Sequence, residues 1–391
     1  MPANLLTLKL LFNSNDRHFN NFIQSLTKEE LLSLNKDSFE DLEKYSIISN
    51  LFIDSDKIKF VKNQAEEIIY KSSEKGIKVT SLIDKNYPSN LLKITNPPPI
   101  LFIKGNLKPD DYKKSIACVG TRKPSTFGIR TVESLVPIWV DEGFAIISGL
   151  ADGIDSESHK ACLDNKGITV AVLAHGLDLV YPKYQEKLAN RILDNNGLIV
   201  SEYPIGVNPQ KRNFVQRNRI ISGISEAVIV FESALQSGTM HTVDFAKSQN
   251  KPIFSPVPVY NLDVIEGVRK ILNDGTAIPI NTINDYFVVL NELGYDSSRS
   301  FKMEKEILAP KSERIRNIIQ KSANGFSKEM IKGRMPLKDY KIALNEELYD
   351  TFYNILLESK LTIEEVFNSF LIAVVENHKK VKKERDMENE Q

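Results

Sequence analysis

Six apolar runs between residue 115 and about residue 290 constrain this chain more than any other feature: SIACVGT, FAIISG, ITVAVLAHG, LIVSEYP, AVIVFES and PIFSPV. Most are continuously apolar and rich in Val and Ile, as strands must be when both faces of their sheet are covered. Between them lie stretches with helical spacing, such as STFGIRTVESLVPIWVDEG and SESHKACLDNKG. Strand and helix alternating at this interval predict an α/β fold with a doubly wound, mostly parallel sheet. The lone tryptophan, Trp139, falls on the first of these helices and is assigned to the core.

A chain of 391 residues exceeds one ordinary core, and its flanks read differently. Residues 1–76 predict a small helical domain. LTKEELLSL and SFEDLEKY place Thr or Ser at helix N-caps with an acid three residues on, and KIKFVKNQAEEIIYKSSEKG keeps helical spacing until Gly76. Residues 77–114, with the prolines Pro97–Pro99, predict a connector packed on the next domain. The α/β domain takes residues 115–296. Residues 297–391 predict a helical C-terminal region ending in the charged stretch HKKVKKERDMENEQ.

Lys and Arg number 51 and Asp and Glu 51, a formal net charge of zero. A polyanion must therefore be met by a local patch, because no global basic field exists. Cys118 and Cys162 form no CxxC pair, which fits a reducing compartment, with Cys118 read as a small buried hydrophobe. The N-terminus has no signal-peptide pattern and no apolar run spans a bilayer, so a cytoplasmic protein without a membrane partner is expected.

In open α/β sheets ligands sit beyond the carboxyl ends of the strands. The first such loop, GTRKPSTFG, offers Gly120 and Thr121 for close backbone approach, Arg122 and Lys123 for charge, and Ser125 either to cap the next helix or to bond a phosphate oxygen. The second, SGLADGIDSESH, carries Ser148 and Gly149. Its Asp155 and Ser156 suit helix caps, and His159 suits a packed side chain better than a catalyst. In AHGLDLVYPKYQ, Tyr181 and Tyr184 suit either base stacking or plugging of the sheet edge. The stretch KRNFVQRNRIISG gathers Lys211, Arg212, Arg217 and Arg219 around Asn218, read as a strand-end loop. Ser237, Gly238 and Thr239 form a further turn suited to anions. Cations and helix N-termini converging on one rim favour several phosphates in series.

The excluding observations are as informative. GTRKPSTFG is not GxGxxG, no GxxxxGK[ST] occurs, no GxSxG occurs, and the histidines lack metal-ligand spacing. No cofactor and no metal are expected.

At these loops the chain resembles the DprA/Smf family of DNA-processing proteins. The residues that carry the resemblance are VGTRKPSTFG, ISGLADGIDSESHKACL, TVAVLAHGLDLVYP, LIVSEYPIG, FVQRNRIISGISEAVIVFE and SGTMHTVDFA, in the family's order and spacing. The resemblance implies an extended Rossmann-like domain that binds single-stranded DNA, protects incoming strands in natural transformation, helps load the recombinase RecA, and forms a homodimer. It implies that Arg122, Arg217 and Arg219 hold DNA phosphates, and that Gly120, Thr121, Ser125, Ser148, Gly149, Ser237 and Gly238 shape the pocket. A non-enzymatic role follows. The competing expectation is a small-nucleotide sensor or phosphoribohydrolase, since that group shares the fold. Its PGGxGTxxE loop corresponds to ALQSGTMHTVD here, which has no Glu in register, leaving Glu202 and Glu232 as the strand-end carboxylates.

Overall fold

The computed structural model describes residues 2–12, 16–27, 29–30, 55–258, 263–281 and 285–295. The expected helix SFEDLEKY and the C-terminal region 297–391 lie outside them. Residues Met1–Pro279 with Val289–Tyr295 make one compact unit, and Ile280–Val288 with Asp296–Gln391 a second.

The six apolar runs are the strands β3 (Ser115–Val119), β4 (Ala145–Ser148), β5 (Thr169–Leu173), β6 (Leu198–Ser201), β7 (Ala227–Val230) and β8 (Ile253–Pro256). All six are buried along their whole length, which is why they show no alternation. Their pairings, β3 with β4 and β7, β5 with β4 and β6, and β7 with β8, are parallel. The sheet has nine strands in the order β1-β2-β6-β5-β4-β3-β7-β8-β9, where β1 is Ile77–Ser81, β2 Ile100–Lys104 and β9 Ile278–Ile280. The connector expected over residues 77–114 is therefore part of the sheet. β1 and β2 pair antiparallel, and β2 adds antiparallel to β6. The prolines Pro97–Pro99 sit between the two strands rather than in either, where the missing N–H costs no ladder bond.

Two apolar layers cover the sheet. One face carries α4 (Thr126–Asp141), α5 (Ile154–Asp164) and α6 (Glu186–Asp194) together with the N-terminal helices α1 (Pro2–Leu11), α2 (Asp16–Ser25) and α3 (Ser55–Glu74). The other carries α7 (Lys211–Ile224), α8 (Gly238–Ser248) and α9 (Glu266–Asn273). Among the described residues, the N-terminal helices share one core with the sheet and its helices. Leu5, Phe19 and Ile58 join Leu163 of α5, Leu173 of β5 and Ile192 of α6 in one buried cluster. Each such side chain contributes about 1.5–3 kcal/mol by leaving water, so this layer belongs to the α/β unit. Trp139 is fully buried against Phe144, ring centroids 6.3 Å apart, and Cys118 is buried within β3.

One local expectation is corrected. KRNFVQRNRIISG is not a loop but the body of α7. Its core-facing positions Asn213, Arg217, Ile220, Ile221 and Ile224 repeat at helical spacing, but the first two are polar, which hid the period.

Candidate functional site

Strand order reverses at β3: β4, β5 and β6 follow on one side, while β7 and β8 lie on the other. The crevice at this switch point opens beyond the carboxyl ends of β3 and β7. Each surrounding loop contributes a different side chain.

After β3 comes the turn Gly120–Pro124, with Arg122 and Lys123 exposed and Thr121 accepting the Lys123 N–H at 3.2 Å. Across the crevice α7 begins with Lys211 and Arg212, both exposed. None of these four cations makes a salt bridge or side-chain hydrogen bond among the described residues. Phe214 lies between the two groups. The Arg122 guanidinium is 5.8 Å from its ring centroid and that of Arg217 5.9 Å. Tyr181, 52 % exposed, sets its ring 6.1 Å from the same centroid. Arg122 and Arg217 thus meet one aromatic side chain and share one crevice. Tyr184 stands beside them with its hydroxyl donating to Asp152, and Gln185 Nε2 donates to the other oxygen of that carboxylate at 2.9 Å.

Arg217 faces this crevice from below. It is buried, and its Nη1 donates to the backbone oxygens of Gly149, at 2.7 Å, and Val172. Its Nε donates to Asn218 Oδ1 at 3.1 Å. Burial pushes this guanidinium down to about 10, with the buried Asp155 carboxylate working against the shift, so it stays cationic at neutral pH. The same burial pushes Asp155 up, opposed by Arg217. Gly149 makes the approach possible: a Cβ there would stand 2.6–2.7 Å from the guanidinium atoms. Through Nη1, Arg217 is therefore a clamp between the ends of β4 and β5.

Arg219 is corrected more fully. It lies in the interior, with Nη1 3.0 Å from Glu202 Oε1 and Nη2 2.6 Å from Glu202 Oε2, a two-pronged ion pair. Burial pushes Glu202 up, but the Arg219 charge outweighs it and holds the carboxyl below its ordinary value. Two buried charges are tolerated only when they pair, and both terminal nitrogens of Arg219 are committed to Glu202, while its Nε–H is buried without a partner.

Other expected residues are also occupied. Ser148 is fully buried and donates to Cys118 O at 2.7 Å. Asn218 donates to Gly238 O at 3.2 Å, tying α7 to the start of α8. Thr239 is buried, Ser237 Oγ lies 2.7 Å from Ser233 Oγ, and Gly238 alone in that turn is exposed. Ser125 caps α4, its Oγ accepting the Gly128 N–H at 3.1 Å and donating to Glu232 Oε1 at 2.5 Å. Both strand-end carboxylates are therefore buried and engaged, Glu202 by Arg219 and Glu232 by Ser125. His159 packs, as expected. Its Nδ1 lies 2.6 Å from Thr169 Oγ1, whose proton goes to Ile146 O at 2.7 Å, so Nδ1 carries the ring proton. Phe214 was the residue missed by sequence reasoning, although its position among cations was the available signal.

The result is a Rossmann-like α/β protein with a cationic, aromatic rim at its topological switch point. Residues 78–291 match the model of the DNA recombination-mediator protein A family, and the chain belongs to that family. It is 33% identical over 297 residues to Protein Smf of Borreliella burgdorferi, covering 76% of this chain and 87% of the relative. It is 35% identical over 216 residues to DNA processing protein DprA of Bacillus subtilis, 54% of this chain and 72% of the other. Against Protein Smf of Synechocystis it is 39% identical over 201 residues, and the chain spans half the length of that relative. Among solved structures, DprA of Streptococcus pneumoniae superposes with a TM-score of 0.62 at 27% identity, covering 74% of this chain and 97% of that one. DNA processing protein A of Helicobacter pylori, whose structure concerns its single-stranded DNA binding mode, gives 0.50 at 29% identity, over 56% and 97%.

Proposed function

We propose that this chain binds single-stranded DNA along the strand-end rim and acts as a recombination mediator. In that role it shields incoming strands in transformation and helps load the RecA recombinase, as a cytoplasmic homodimer. The observation that carries the reading is the set of four exposed cations, Arg122, Lys123, Lys211 and Arg212, around the aromatic pair Phe214 and Tyr181. Cations that track a backbone beside rings that accept a base face are the ordinary means of holding a single strand without reading its sequence. The Helicobacter pylori relative supports the ligand class, and family membership supports the mediator role.

About four phosphate contacts on a single strand give a log–log salt slope of about −3. Titration with oligothymidylate and with duplex of equal length, at two salt concentrations, tests the reading. Tighter binding of the single strand with that slope is expected. Equal affinity for both, or no salt dependence, overturns it. A phosphoribohydrolase role is not favoured, because Glu202 and Glu232 are both buried and bonded.

A further inference from the structure

The N-terminus of α4 is where a doubly wound fold ordinarily receives a ligand phosphate. Here it already holds an anion. Glu232, two residues beyond the end of β7, is fully buried with its carboxylate turned across the switch point onto the first turn of α4. Oε2 accepts the Ser125 backbone N–H at 2.9 Å and Oε1 accepts the Ser125 hydroxyl at 2.5 Å. The Glu232 backbone oxygen accepts the Thr121 N–H at 2.8 Å, fastening the same residue to the glycine turn. Gly128 completes the seat. A Cβ at that position would overlap the carboxyl group, standing 2.5 Å from Oε2. The glycine of STFG, which in a nucleotide-binding turn would admit a phosphate, here admits a side chain of the protein itself.

We propose that Glu232 is a specificity-determining residue: a resident anion that fills the phosphate seat of α4 and so refuses free mononucleotides and dinucleotide cofactors. Ligand phosphates are then confined to the outer cations, where a chain of phosphates gains from several weak contacts and a single terminal phosphate does not. The two acceptor oxygens reproduce what two phosphate oxygens would do, the carboxylate charge matches the positive end of the helix, and both Ser125 donors are already taken by the carboxylate. The inference stands whether or not the rim binds a strand.

The test is anion rescue. Glu232→Ala in the full chain vacates the seat while leaving the Ser125 donors in place. Its melting temperature is expected to fall. Inorganic phosphate or acetate in the millimolar range, against chloride at matched ionic strength, should then restore it saturably. Wild type should show no such recovery. Calorimetric titration with a nucleoside 5′-monophosphate should give heat of binding in Glu232→Ala and none in wild type. Glu232→Gln, which keeps the shape but not the charge, should be destabilised without becoming anion-responsive. If Glu232→Ala does not fold, refolding yield in phosphate against chloride is the readout, and a higher yield in phosphate is expected. Heat of monophosphate binding in wild type overturns the proposal. So does a Glu232→Ala protein whose stability or refolding is indifferent to phosphate. An oligothymidylate titration of wild type in parallel reports on the strand-binding reading separately.

Discussion

Individual arginines of this protein have opposite fates. Arg122 is exposed and unpaired among the described residues, so Arg122→Ala should weaken oligothymidylate binding on every sequence alike. It should flatten the salt slope by about 0.7 and leave the denaturation midpoint unchanged. Arg219, two positions after the clamp residue Arg217, is a structural ion. Arg219→Ala strands the Glu202 carboxylate in the interior and should cost about 3–5 kcal/mol in urea denaturation. His159 is the third informative residue. Burial and the nearby Arg217 charge push it down to about 3, and its Nε2 has no hydrogen-bond partner to receive a second proton. Its pKa in the folded chain lies below its unfolded value, so its contribution is complete above about 6.5 and is lost as pH falls toward about 3. Between pH 6.5 and 5 stability should drop by about 1.6 kcal/mol from this group alone. Denaturation at the two pH values in wild type and His159→Gln measures it, with the variant losing that part of the slope.

At the scale of elements, α7 organises the crevice. Its first turn carries Lys211 and Arg212 and presents Phe214, and its inner face sends Arg217 under Gly149. Gly149→Ala tests that last contact. The added methyl meets a guanidinium pinned by two carbonyls, which cannot retreat, so a loss of about 1–3 kcal/mol is expected together with weaker oligonucleotide binding. The element also explains what the sequence could and could not disclose. The six buried strands were legible because continuous Val and Ile runs have few other uses. α7 was not, because two of its buried positions are Asn213 and Arg217, and polar side chains at core positions erase the apolar period. Composition locates cations and says nothing of their direction. Arg212 and Arg219 are the same residue type in one helix, yet one faces water and the other Glu202. β1 and β2 were read as a connector because their prolines dominate the local pattern, although the strands themselves avoid them.

Over the whole molecule, the N-terminal helices and the α/β sheet stand or fall together. Removing residues 1–27 uncovers Leu163, Leu173 and Leu177, which share a cluster with Leu5, Leu8 and Phe19. Several kcal/mol of stability should go with them, about 1.5–3 kcal/mol per large side chain re-exposed. Faster amide exchange in β1 and β2, followed by mass spectrometry, is the expected signature, and unchanged exchange there would mean that the helices are an independent cap. A different consequence follows from the switch point. The hydrogen bond from Thr121 to Glu232 joins the loop after β3 to that after β7, and the one from Asn218 to Gly238 joins α7 to the start of α8, drawing these elements to a common line. A strand lying from Arg122 to the exposed Gly238 would cross that line and act as a rivet over it. Held there, a bound strand would oppose any parting of β3 from β7, and the amides of those two strands should exchange more slowly in the loaded molecule than in the empty one.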